Sequence, residues 1–191
     1  MNKNIIISGV IGLVLGTFIF SASSPVRFGG RMVNQIDSHF IEQMIPHHED
    51  AITMAGIALE EAEHQEIKQL AEDIKRTQTE EIEEMRTWYK GWFGTDVPDQ
   101  FTALGHGMGS GKMHMGMMGD TTDMEQLSTS ATFDKDFIEQ MISHHQMAVM
   151  MAQMLLRGSS RPEMIQLAEN IISAQTKEID QMREWYREWY N

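Results

Sequence analysis

Met44, His47 and His48 set a thioether and two imidazoles within one turn of each other, and Met141, His144 and His145 repeat the set 97 positions later. Both donor types suit late first-row metals: thioether sulfur is neutral, soft and polarisable, and imidazole nitrogen binds copper or zinc. Residues three and four apart share a helix face, so each trio can reach one ion. Met44, Met54, Met141 and Met151 fall on an apolar face, where a lone methionine more often fills a gap in the core. His47 and His144 lie on the same face, with the plain alternative of being hydrogen-bonded core histidines. An adjacent His pair that recurs with methionine one turn away favours ligation. The second copy goes further. Met147, Met150, Met151 and Met154 give several one-turn thioether pairs, and His144, Met147 and Met151 stand along one edge. Asp50, Thr53, Met54 and Ile57 occupy the matching positions of the first copy. The two units should therefore bind unequally, the second being richer in soft ligands.

A third group of donors lies between the copies. The run from Gly105 to Gly119 carries His106, Met108, Met113, His114, Met115, Met117 and Met118 among glycines. Its apolar residues are almost all methionine, a poor choice for a plain tether. Glycine lets the backbone wrap until thioethers and imidazoles converge on one ion. Tracts rich in His and Met suggest metal capture on composition. The ligand set selects Cu(I), with Ag(I) as its mimic and Cu(II) as a secondary candidate. Magnesium, calcium and manganese want oxygen donors, and zinc would gain little from methionine. Thioethers do not titrate, whereas histidine ligands are progressively protonated below roughly pH 6.5.

A repeated helical pattern must position these donors. Phe40-Ile41-Glu42-Gln43-Met44-Ile45 returns as Phe137-Ile138-Glu139-Gln140-Met141-Ile142, and Met85-Arg86-x-Trp88-Tyr89 returns as Met182-Arg183-x-Trp185-Tyr186. A fixed period means that each unit buries its apolar face on a neighbour. Ile36, Phe40, Met44, His47, Ala51 and Met54 recur at helical spacing and predict a helix over about 35–60. Ile67, Leu70, Ile74, Gln78, Ile82, Met85, Tyr89 and Trp92 predict another over about 65–92. The second copy repeats both, and Ser160-Arg161-Pro162-Glu163 reads as a capping box with proline in the first turn. Two helical hairpins packed face to face give an all-α four-helix bundle. Residues 34–94 and 131–191 are then the repeats, 95–130 the insert, and 34–191 one domain. Trp88, Trp92, Trp185 and Trp189 should close the bundle end. Gln78, Gln175, Glu81 and Glu178 read as polar groups bridging the hairpins.

Composition narrows the class. The chain has 191 residues and 41% hydrophobic content, enough for one compact core. Its 18 methionines and absence of cysteine exclude a disulfide framework or a thiolate site and suit an oxidising compartment. A net charge of −13 argues against nucleic-acid binding and concentrates cations. Lys3, an apolar run from Ile5 to Phe20, and Ser21-Ala22-Ser23-Ser24-Pro25 form the pattern of a secretory signal over residues 1–24. The apolar run is slightly short for a spanning helix, with retention as an N-terminal anchor the alternative. The remainder is expected in the periplasm or otherwise outside the cytoplasm, meeting the membrane only through that segment.

No nucleophile arrangement stands out. A di-iron carboxylate centre needs two Glu-x-x-His motifs. Only Glu61-Ala62-Glu63-His64 fits, its counterpart being Gly158-Ser159-Ser160-Arg161. Neither catalysis nor a small-molecule substrate is expected. The pattern Phe-Ile-Glu-Gln-Met-Ile-x-His-His-x-x-Ala, with Gln-x-x-Glu-Ile-x-x-Met-Arg-x-Trp-Tyr downstream, resembles the domain-of-unknown-function family 305. The two copies and methionine-rich insert are similar to its CopM-type periplasmic copper-binding members. That resemblance implies a ferritin-like helical bundle and copper and silver binding in support of metal resistance. By position it also implies the ligands Met44, His47, His48, Met54, Met141, His144, His145 and Met151. The expected function is sequestration of Cu(I) by an exported protein, or its passage to an efflux or sensor component. The alternatives are a helical interaction module of the cell envelope without metal and, further off, a ferritin-like redox metalloenzyme.

Overall fold

The computed structural model describes residues 30–98 and 124–190. Helix α1 spans Gly30–Glu61, α2 Gln65–Phe93, α3 Met124–Ser128, α4 Phe133–Gly158 and α5 Pro162–Tyr190. The four long helices lie where the apolar periodicity puts them, and every described element is helical, so the all-α expectation holds. α1 packs on α2 and α4 on α5, and the two hairpins meet along α1 and α4.

Burial follows the 3.6-residue period. Ile41, Met44, Ala51, Met54, Ala55 and Ala58 are fully buried on α1, as are Phe137, Ile138, Met141, Ala148 and Ala152 on α4. The alanines keep the central seam thin, so the α1 and α4 backbones can approach closely. On α2 the buried stripe runs Ile67, Leu70, Ala71, Ile74, Gln78, Ile82, Met85 and Tyr89, and α5 repeats it from Met164 to Trp185. Burying one large apolar side chain contributes roughly 1.5–3 kcal/mol, so these stripes rather than helix propensity hold the bundle. Packing also carries Pro46, which sits inside α1 without breaking it although it has no N–H to donate. Helix α2 stops at Gly94, whose positive φ of 73° lets its N–H reach the Lys90 carbonyl at 3.0 Å.

Two reciprocal clasps fix how the hairpins meet. Asp134, at the start of α4, accepts the backbone N–H groups of Glu63 and His64 at 3.0 and 2.8 Å, and the His64 ring at 2.5 Å. Asp37, its counterpart on α1, accepts from the Arg161 guanidinium at 2.8 Å. Arg161 holds the position in the second hairpin that His64 holds in the first. Each base also covers a tryptophan: His64 stacks on Trp189 at 3.7 Å, and Arg161 lies 4.2 Å from the Trp92 ring centroid. The turn of one hairpin thus sits at the start of the other, which makes α1 and α4 antiparallel. The tryptophans close the bundle ends as expected, in stacked pairs Trp88–Trp92 and Trp185–Trp189.

Two local features depart from the expectation. The stretch 95–130, expected as an insert between the repeats with no helix assigned to it, contains α3. A helix this short is unstable alone, but Leu127 is fully buried against a core cluster that includes Phe133 and Phe137. α5 opens at Pro162, in the first turn as expected, but Arg161 rather than Ser160 immediately precedes the helix, and the Ser159 hydroxyl accepts the Arg161 N–H at 3.2 Å. Residues 1–24, with the apolar run 5–20, and the donors His106, Met108, Met113, His114, Met115, Met117 and Met118 lie outside the described residues. Among the described residues no helix is long and apolar enough to cross a membrane.

Asp134 is buried and accepts from three donors at once, so Asp134→Ala removes all three bonds and leaves the part-buried N–H groups of the turn without this partner. The expected loss is about 2–4 kcal/mol in urea unfolding. A loss below about 0.5 kcal/mol, the range of an ordinary surface change, would show that the clasp is not what registers the hairpins.

Candidate metal centre

His47 on α1 and His144 on α4 face each other across the central seam, their ring centroids 3.7 Å apart and their planes inclined by 37°. Each ring is 6.3 Å from that of its sequence neighbour, His48 or His145. The closest imidazole pair therefore joins the two hairpins. His47 and His144, expected in separate Met–His–His trios, thus stand beside each other between the hairpins.

One residue further along a helix turns a side chain by about 100°, which carries His48 toward α2 and His145 toward α5. His48 Nε2 meets Glu81 Oε2 at 2.7 Å, and His145 Nε2 meets Glu178 Oε2 at 2.6 Å. A carboxylate only accepts, so it fixes the proton on Nε2 and leaves the Nδ1 lone pair for another partner. Both Nδ1 atoms are buried and have none. This is the carboxylate–histidine arrangement that orients imidazoles for metal ligation. Glu81 and Glu178, expected to bridge the hairpins, instead tie the two helices within each hairpin. Their sequence signal was the 33-residue separation between His and Glu, present in both copies.

His47 is buried, and neither of its ring nitrogens completes a hydrogen bond. It is not a satisfied core histidine. Burial holds it well below the ordinary histidine pKa, and the His144, His48 and His145 rings push the same way. The His144 backbone opposes them weakly. Gln78 and Gln175, also buried and matching in the two repeats, leave their Oε1 atoms unpartnered. Buried polar atoms without partners are rare and call for an explanation. Here Gln78 and Gln175 match each other across the repeats, as the Nδ1 atoms of His48 and His145 do.

The methionines on the same helix faces are core residues. Met54 and Met141 belong to one core cluster, Met44 and Met151 to the other, so each cluster receives one of these methionines from each hairpin. Met147 is partly buried beside the second cluster. Met150 and Met154 are 43% and 46% exposed. Among the described residues no three His, Asp or Glu side chains are arranged to hold a metal ion by themselves. A complete coordination shell at this seam would need sulfur, which narrows the choice to soft ions.

The profile of the family described as Domain of unknown function (DUF305) matches residues 37–186. The chain belongs to the DUF305 family. Among solved structures, CopM in its Cu(I)-bound form is 47% identical, with 81% of this chain and 98% of that one covered and a TM-score of 0.68. CopM in its Cu(II)-bound form is 49% identical over 81% and 97%, with a TM-score of 0.71. A putative secreted DUF305 protein from Streptomyces coelicolor is 26% identical over 82% and 94%, with a TM-score of 0.68. No curated protein sequence matches.

In this DUF305 chain the His47 pKa predicts how the apo-protein responds to acid. The unfolded ring titrates near 6.5, and the folded value lies well below that. Between the two values only the unfolded state carries the proton. The associated stability is therefore complete above about pH 6.5 and is lost as pH falls beneath it, at up to about 1.4 kcal/mol per unit. Urea unfolding of the wild type and His47→Leu between pH 5 and 7.5 should show the variant losing less stability toward the acid end. Parallel pH profiles would refute the assignment.

Proposed function

We propose that this protein is an exported copper binder that sequesters Cu(I), and its mimic Ag(I), at the seam between its two hairpins. The carrying observation is the buried His47 ring, its nitrogens unpartnered, set 3.7 Å from His144. The expected ligands are drawn from His47, His48, His144, His145, Met44, Met54, Met141 and Met151. Glu81 and Glu178 orient the outer imidazoles. CopM, solved with Cu(I), Cu(II) and Ag bound, is 46–49% identical, and that likeness supports the choice of ion. Cu(II) fits the imidazoles better than the thioethers, so a weaker second mode for it is expected. The secretory pattern of residues 1–24 supports a place outside the cytoplasm. There the protein would buffer copper for resistance or pass it to an efflux or sensor component.

Nothing in the arrangement suggests turnover, and the role is that of a binder. The centre accepts copper as cargo at a position where imidazoles are already desolvated and neutral thioethers lie in the same core. Protonation competes little for a ring whose pKa burial has depressed, so binding should persist into mild acid.

Competitive titration with a Cu(I) chelator tests this. Wild-type protein should bind tightly, and His47→Leu, which keeps the core apolar, should weaken binding by about 10–100-fold, the cost typical of disturbing a ligand shell. Unaltered affinity would defeat the assignment of the centre. Deleting residues 105–119 should lower the number of Cu(I) ions bound without changing tight binding at the seam. An undiminished count would remove the insert from the set of sites.

A further inference from the structure

The two hairpins differ most in chemistry along one flank of α4. Taking His144 as reference, the helical rotation sets Met151 within about 20° of the same line, Met147 about 60° away, Met154 about 80° and Met150 about 120°. All four turn to the side away from His145, whose ring is engaged by Glu178. Exposure rises away from the His144 line: Met151 is 7% exposed, Met147 is partly buried, and the outer pair, Met154 and Met150, are 46% and 43% exposed. Met150 and Met154 are two of the four large hydrophobic side chains that stand out into solvent among the described residues, the others being Ile36 and Tyr190. Neither is used by the core. In the first hairpin the matching flank has Asp50, Thr53 and Ile57, with only Met54 retained, and Met54 is fully buried.

We infer that this flank of α4 is a one-sided port, a thioether relay that carries soft monovalent cations from solvent to the buried histidine pair. The inference rests on the seam being a binding centre, and adds how an ion reaches it. Successive thioethers stand one helical turn apart, from Met150 and Met154 to Met147 and Met151 and then to His144. Sulfur–metal contacts of about 2.3 Å let two such neighbours share one ion. An ion can then move by exchanging one sulfur for the next without becoming bare. Neutral thioethers also add no charge that would trap it on the way. Leucine at these positions would satisfy the helix equally well, so exposure of a polarisable side chain at both outer positions is what distinguishes the flank. The first hairpin offers no equivalent track, so both loading and unloading run through the second.

The test separates rate from equilibrium. Ag(I), supplied as nitrate in chloride-free buffer, serves as a redox-inert probe, and arrival is followed through the imidazole resonances of His47 and His144. Met150→Leu combined with Met154→Leu changes only exposed positions and should fold as the wild type does. The relay requires loading, and release to a competing chelator, to slow together by about tenfold or more, the scale expected for losing coordinating groups. The final silver count at the histidines and the affinity there stay the same. Unchanged rates overturn the relay while the binding centre stands. A count lower by one ion at unchanged rate makes the flank an independent storage site and likewise overturns it. If silver never perturbs the His47 and His144 resonances in the wild type, the centre itself is wrong and the relay has no destination.

Discussion

The pseudo-two-fold registration of the hairpins governs this molecule, and two aspartates hold it. Asp37 and Asp134 each reach from the start of one hairpin to the turn of the other, where Arg161 and the His64 segment receive them. The same contacts press a cationic or imidazole plane onto a terminal tryptophan. With both ends clasped, α1 and α4 have little freedom to slide, and a shift of one residue would turn His47 away from His144 by about 100°. The registry of buried hydrogen bonds at the ends therefore dictates the imidazole pairing in the middle.

That pairing works against the stability of the fold. An imidazole without hydrogen bonds in a core costs about 1–3 kcal/mol for each unsatisfied group. Only a well-filled core can carry it, and the alanines of α1 and α4, with Met44, Met54, Met141 and Met151, are almost fully buried. The cost has a use. On the function proposed above, an ion arriving at His47 would meet a buried ring without competing partners, so less of its binding energy would go into desolvation. His48 and His145 represent the complementary solution. Their glutamate partners, at 2.7 and 2.6 Å, settle the ring orientation and leave one nitrogen available.

Much of this was legible in the residues. The fixed repeat, with apolar positions at helical spacing, was enough for four helices in two hairpins, and the adjacent His pair pointed to the seam. What spacing along one helix cannot convey is which neighbour a side chain meets across the bundle. Spacing made Met44, His47 and His48 one trio, and did not show that His47 stands against His144 and that His48 meets Glu81. Glu81 and Glu178 were visible as polar residues, but their partnership needed the α1·α2 and α4·α5 packing. The exchange of Arg161 for His64 was equally hidden, because these two residues share no charge pattern and are related only through their aspartates. Leu127 shows the same limit at small scale. A single buried leucine holds α3 in place, a contact that no local pattern announces.

Duplication supplies two equal halves, and the differences between them carry the remaining information. Symmetric positions do structural and central work: aspartate clasps, tryptophan caps, His–Glu pairs and buried methionines recur almost unchanged. Divergence gathers where one copy reaches solvent near the seam, with Thr53 and Ile57 in one hairpin answered by Met150 and Met154 in the other. A pseudo-symmetric centre needs only one route for its cargo. A second exposed run of thioethers would add oxidisable apolar surface without a new destination, since both routes would end at the same pair of rings. Retaining the soft flank on α4 alone is thus the arrangement expected of a repeat protein whose halves share one site and need a single way into it.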